Sequence, residues 1–126
     1  MNTITDNLFQ PLTLPCGLIL KNRIVKSAMS DSLGDGCGNP TIEQIRLYNR
    51  WASGGVAAAI VGEVQATPHY AEKPGNLVLN ADADNEKFQQ LANAGSIDES
   101  HLWLQLGHAG AMAHPPHKLS QRSKCA

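Results

Sequence analysis

Val56-Ala57-Ala58-Ala59-Ile60-Val61-Gly62-Glu63-Val64 is the stretch whose reading decides the fold. It is a near-continuous apolar run without polar alternation, which is how a parallel strand buried on both faces reads. Its small alanines imply close packing against neighbouring layers. Parallel strands need a long crossover between them, commonly a helix, so the flanks of this run should be helical.

Both flanks carry that signal. Upstream, Thr41 is a good N-cap and Gln44 stands three residues on, the pattern of a capping box. Ile45, Tyr48, Trp51 and Ala52 then fall on one face at helical spacing, and Gly54-Gly55 ends the helix. Tyr48 and Trp51 read as helix-to-sheet packing residues rather than a binding box. Downstream, a second helix begins near Asp82 or Asp84, with Phe88, Leu91 and Ala92 as its apolar stripe and Gly95 as its stop. Further out lie two more strands. Arg23 to Met29 precedes the first helix, beyond the Gly-rich loop Leu33 to Pro40, which has no GxGxxG and so no dinucleotide fingerprint. His101-Leu102-Trp103-Leu104-Gln105-Leu106 follows the second helix and alternates strictly, leucines one way and His101, Trp103 and Gln105 the other. A hairpin, Leu12 to Leu20 around Pro15-Cys16-Gly17, opens the chain.

Hairpin, strand, helix, strand, helix, strand is the order of a parallel α/β sheet with right-handed crossovers. Doubly wound and barrel folds both fit that order. Neither closes with three strands, since a barrel needs eight in roughly 250 residues. The third strand would leave its outer edge bare, so the chain reads as unfinished.

Composition narrows the partners. The 126 residues are 42% hydrophobic and 17% charged, with 10 basic and 11 acidic side chains and a formal net charge of −1. No field of one sign recommends nucleic acid or an anionic membrane. Met1 to Gln10 is polar with no secretory h-region, and the longest apolar run, Val56 to Val61, is far too short to span a bilayer. A cytoplasmic location is expected. Cys16, Cys37 and Cys125 show no CxxC spacing and are expected to be reduced thiols.

In parallel α/β folds chemistry gathers at the carboxyl ends of strands. Three clusters stand there: Ser27-Ala28-Met29-Ser30, Glu63-Val64-Gln65 and Gln105-Leu106-Gly107-His108. No nucleophile is paired with a base, so no catalytic residue is assigned. A glutamine amide offers a donor and an acceptor, which suits the edge of a planar heterocycle, and small residues let backbone groups approach a flat ring. Gln105 would point inward near the top of a barrel, where it could equally bond another side chain. His108 reads either as a pocket residue or as a solvated one, and Glu63 as an acid or base or as a strand-end polar group. His108, His114 and His117 with Cys125 match no metal-ligand spacing, so no metal is expected.

The line Leu8-Phe9-Gln10-Pro11-Leu12, then Gly17-Leu18-Ile19-Leu20-Lys21-Asn22-Arg23-Ile24-Val25, resembles the opening of NADH:flavin oxidoreductases of the Old Yellow Enzyme family. The likeness continues through Ser27-Ala28-Met29-Ser30, Arg50-Trp51-Ala52-Ser53-Gly54-Gly55, Ile60-Val61-Gly62-Glu63-Val64 and Gln105-Leu106-Gly107-His108-Ala109-Gly110, roughly residues 8 to 114. The resemblance implies the N-terminal portion of a (β/α)₈ TIM barrel with FMN at its top. In such enzymes NADH or NADPH reduces FMN, and hydride then passes to a small-molecule acceptor, often an activated alkene. By position, Ser27, Ala28, Met29 and Ser30 resemble the segment that lines the flavin. Val64 resembles the small residue beneath the ring, Gln105 the glutamine that bonds its pyrimidine edge, and His108 a histidine near the pocket mouth.

Departures accompany the likeness. Ala28 stands where many members have proline, Ala111 where many have arginine, and Val64 is larger than usual. Residues 1–114 are therefore expected to be a partial FMN-binding barrel domain and 115–126 a divergent, irregular tail. The family's substrate-binding pair, proton-donating tyrosine, flavin-contacting arginine and phosphate loops come from later strands. A fragment inactive on its own is the expectation. The alternative is a non-enzymatic α/β protein that associates through its open sheet edge.

Overall fold

The computed structural model describes residues 4–70 and 72–112. The tail expected over 115–126, together with His114, His117 and Cys125, lies outside the described residues. A short helix α1 (Ile4–Leu8) leads into the hairpin β1 (Leu12–Thr13) and β2 (Ile19–Leu20), paired antiparallel with Leu12 opposite Leu20. The hairpin reverses at Gly17, whose φ of 89° favours a residue without a side chain. Then come β3 (Val25–Ser30), α2 (Ile42–Ser53), β4 (Ala58–Gln65), β5 (Leu77–Val78), α3 (Asn85–Gly95) and β6 (His101–Gly107).

β3, β4 and β6 run parallel, with β4 in the centre. β3 pairs with β4 as far as Ser30 opposite Gly62, with one register slip on the way, and β5 then pairs with the last two residues of β4, Val64 and Gln65. Among the described residues the sheet is open and does not close into a barrel. Ala57, Ala58 and Ala59 are fully buried, as the close packing implied by small side chains requires. Both long ladders slip: between Lys26 and Met29 on β3, opposite Ala59 and Val61, and between Val61 and Val64 toward β6.

α2 and α3 pack on one face of this sheet. Thr41 caps α2, its hydroxyl accepting from Gln44 N at 3.3 Å. The other half of the expected capping box is absent, because the Gln44 side chain turns to Asp31 instead. The buried row of α2 is Gln44, Tyr48 and Ala52, an i, i+4, i+8 line. Trp51, expected with them, is 38% exposed: it is displaced from that row by one residue and lies at its flank. Asp84 caps α3 by accepting from Lys87 N at 3.1 Å. Gly95 is the last residue of α3 and is buried against Leu102 of β6, whose Cδ1 would lie 2.9 Å from a Cβ placed there. The core joins Tyr48, Val56, Ala59, Val61, Val64, Leu77 and Leu91, with Leu102 and Leu104 against it. Leu106, the third of the alternating leucines, lies beyond the register slip and is 71% exposed.

Polar ties close the amino ends of the strands. Asn22 Nδ2 donates to Gly55 O at 2.7 Å and Ser100 Oγ to Val56 O at 2.9 Å. Cys16 is a free, exposed thiol, but Cys37 is disulfide-bonded, which corrects the expectation of reduced thiols at that residue. No described helix is long and apolar enough to cross a membrane.

Candidate functional site

The carboxyl ends of β3, β4 and β6 lie on one rim, since Ser30 is opposite Gly62 and Gln65 is opposite Gly107. Gly62 is the point where they meet. A Cβ placed there would lie 2.9 Å from Gln105 Oε1 and 3.0 Å from both Ala28 Cβ and Met29 N. Ala28, Met29, Gly62 and Gln105 therefore adjoin across three adjacent strands, and only a residue without a side chain leaves that space free. Gly62 was not singled out as a site residue by sequence reasoning. Its signal is a lone glycine inside a buried strand, which often marks a close backbone or ligand approach.

The expected residues divide around this point. Gln105 is exposed, and its amide has no hydrogen-bond partner among the described residues. Met29 is 49% exposed and Ser27 is exposed, so β3 presents an apolar thioether and a hydroxyl. Ser30 is half-buried, its Oγ 3.1 Å from Asn76 Oδ1. Val64 is fully buried in the hydrophobic core, so its side chain offers no surface to the rim. His108 is exposed just beyond β6, with Nδ1 accepting from Gly110 N at 3.0 Å.

A polar network anchors the end of β3 from the helix side. Asp31 directly follows Ser30. Its carboxylate accepts from Gln44 Nε2 at 3.1 Å, Tyr48 Oη at 3.1 Å and Leu33 N at 2.9 Å. Lys26 Nζ donates to Tyr48 Oη at 3.4 Å and Ile60 O at 3.1 Å, and lies 5.1 Å from the Tyr48 ring centroid. Burial, followed by the Asp31 carboxylate, pushes the Tyr48 phenol well above its usual range. Burial lowers the Lys26 ammonium, and Asp31 opposes that shift. Tyr48 thus packs as expected and also bonds, a role that apolar periodicity does not register.

On β4, the Glu63 carboxyl is raised by its hydrogen bond to Glu72, then by burial and by the Glu72 charge, against a smaller lowering by Lys73. Gln65 Nε2 also reaches Glu63 Oε2, at 3.4 Å. Among the described residues no group of three or more His, Cys, Asp or Glu is placed to hold a metal. A groove of about 680 Å³ lies at α2, lined by Leu33, Arg46, Arg50 and Ala94 among others, and includes no residue of the rim cluster.

Around Gly62 the rim offers an exposed Gln105 amide, the exposed Ser27 hydroxyl and Met29 thioether, and a position that a methyl group would fill. It fits a flat heterocycle with a polar edge. An NADH-dependent flavin oxidoreductase of Hypocrea jecorina (strain QM6a), iliE, is 36% identical over 104 residues, covering 79% of this chain and 26% of its own length. The chain thus spans about a quarter of that curated relative. Among solved structures, the old yellow enzyme from Trypanosoma cruzi superposes with a TM-score of 0.75 at 22% identity, covering 92% of this chain and 32% of that one. A 2-naphthoyl-CoA reductase superposes with a TM-score of 0.81 at 21% identity, covering 88% and 17%. These likenesses identify the described fold as the first strands and helices of an Old Yellow Enzyme-type (β/α)₈ barrel. The model of the NADH:flavin oxidoreductase / NADH oxidase family matches residues 7–126, and the chain belongs to that family.

Proposed function

We propose that this chain supplies the floor and one edge of an FMN site. The observation that carries the reading is the junction of Ala28, Met29 and Gln105 around the space at Gly62. When bound, FMN supplies two-electron chemistry: acceptance of hydride from NADH or NADPH and its delivery to an activated alkene or a similar small acceptor. The chain's own part is to bind and orient. Gln105 gives an amide donor and acceptor to the polar edge of the ring. Ser27 to Ser30 line it from β3, with Met29 as apolar surface. Val64 contributes through its backbone, because its side chain belongs to the core. His108 stands at the mouth. Among the described residues none is assigned as a proton donor, and the family resemblance places the phosphate anchor on later strands. The chain alone is therefore proposed to be inactive in turnover.

The test is to titrate FMN into the purified chain, follow flavin fluorescence, and then add NADH. Saturable binding that Gln105→Ala weakens, without steady NADH oxidation, is the expected result. Steady turnover would refute the inactivity, and no dependence on Gln105 would refute the site.

A second reading, self-association through the open sheet, is favoured by one feature. Leu106 and Met29 are 71% and 49% exposed on strands with unpaired outer edges among the described residues. Sedimentation over a range of concentrations tests it, and a monomer throughout removes it.

A further inference from the structure

Asn76 lies outside every motif considered above, yet it touches the rim. It is 4% exposed and sits in the loop before β5. Backbone packing holds it there. Gly34 N donates to Gly75 O at 2.9 Å, and a Cβ on Gly75 would fall 2.5 Å from Ser32 O. The Gly75-Asn76 segment is thus pressed onto the loop that leaves β3, and its next residues pair with β4. From this fixed point the Asn76 side chain reaches Ser30 at 3.1 Å.

One polar atom of that side chain is unaccounted for. Asn76 Nδ2 is buried without a partner while Oδ1 faces the Ser30 hydroxyl. An asparagine amide is nearly symmetric in shape, so turning it over exchanges the two ends without moving a neighbour. With the carbonyl toward Ser30, both N–H donors go unpaired. With the NH₂ toward Ser30, one is paired, and the enclosed group is a carbonyl oxygen, which structures tolerate unpaired more readily than N–H.

We propose that Asn76 is a positioning residue: its NH₂ donates to Ser30 Oγ, which turns the Ser30 proton outward as a donor to a flavin carbonyl. The flavin half of this assignment rests on the function proposed above. Ser30 is opposite Gly62 in the ladder, beside the space that Ala28 and Gln105 border. A serine whose oxygen accepts from Asn76 keeps its own proton available to donate, and the cofactor's carbonyl edge is the proposed acceptor.

Two measurements on the full 126-residue chain decide it. The first uses no flavin. In ¹⁵N- and ¹³C-labelled protein, Ser30→Ala should shift the Asn76 side-chain NH₂ resonances and speed their exchange several-fold, while Asn76 Cγ moves little. Movement at Cγ with unchanged NH₂ resonances overturns the proposal. The second titrates FMN by fluorescence and measures the reduction potential of the bound flavin. Asn76→Asp keeps the shape but offers only acceptors, so it should capture the Ser30 proton. FMN should then bind about five- to tenfold more weakly, as expected for one hydrogen bond, and its potential should fall. Wild-type affinity and potential in Asn76→Asp overturn the proposal. If the unaltered chain takes up no FMN, the function proposed above fails with the flavin half, while the resonance shifts still decide the Asn76–Ser30 bond.

Discussion

Gly62→Ala is the sharpest perturbation that the rim allows. The added methyl would stand 2.9 Å from Gln105 Oε1, 3.0 Å from Ala28 Cβ and 3.0 Å from Met29 N. The three neighbours differ in how far they can yield. The Gln105 amide is the far end of an exposed, flexible side chain and can rotate away. Ala28 Cβ and Met29 N belong to β3 and move only if that strand shifts, yet Asp31, bonded to Gln44 and Tyr48, holds the strand's end. Overpacking of this kind costs about 1–3 kcal/mol. For a chain of this size that lowers Tm by roughly 3–12 °C, and rotation of Gln105 should weaken FMN as well. Gly107→Ala is the matched control on the same rim, because its Cβ would meet only Gln65 Nε2, at 3.8 Å. It should change stability by less than about 0.5 kcal/mol. Thermal unfolding by circular dichroism and FMN titration read the pair. Equal stability and equal FMN affinity for the two variants would refute the claim that Gly62 keeps the junction open.

Further perturbations separate the site from the scaffold. Gln105→Ala should weaken FMN binding about tenfold while leaving the unfolding midpoint unchanged, because the amide is exposed and unpaired among the described residues; fluorescence titration and urea unfolding check the two halves. Tyr48→Phe takes a donor from Asp31 and an acceptor from Lys26 inside the core, so it should destabilise the chain by about 1–3 kcal/mol in urea. Glu63 has a raised carboxyl, so the folded state holds its proton more tightly than the unfolded state. Its contribution is present below the ordinary value of 4.5 and is lost as pH rises through the folded value. Glu63→Gln should therefore flatten the pH dependence of the urea midpoint in that window; an unchanged slope would remove the Glu63–Glu72 bond as its cause.

The scaffold was legible because its signals are local. Thr41 and Asp84 cap their helices through their own side chains, and the run from Val56 forms the central strand, in keeping with its unbroken apolarity. Trp51 was misplaced because spacings of three and four both satisfy helical periodicity, and only the sheet beneath chooses between them. Asp31 and Asn76 were invisible for a different reason, and Gly62 showed only as a lone glycine in a buried strand, without its partner. Each acts through a partner distant in sequence: Asp31 bonds Tyr48, Asn76 bonds Ser30 and Gly62 faces Gln105. A single sequence does not encode that distance in any pattern of period or spacing. Ala28, Met29 and Gln105 were reached through the family resemblance, and their adjacency is a consequence of strand register.

β4 carries two obligations that would conflict if its ladders were regular. Ala59, Val61 and Val64 face the core, yet Gly62 must leave room on the rim between Ala28 and Gln105. Strict alternation would put residues 62 and 64 on one face. The register slips between Val61 and Val64 toward β6, and Val64 returns to the core two residues after Gly62 opens the other side. A slip of this kind disrupts the ladder locally and re-aims side chains. It lets a nearly all-apolar strand end in a polar pair, Glu63 and Gln65, bonded to each other. Substitutions at Val64 should therefore register in stability, and those at Gly62 in stability and ligand affinity together.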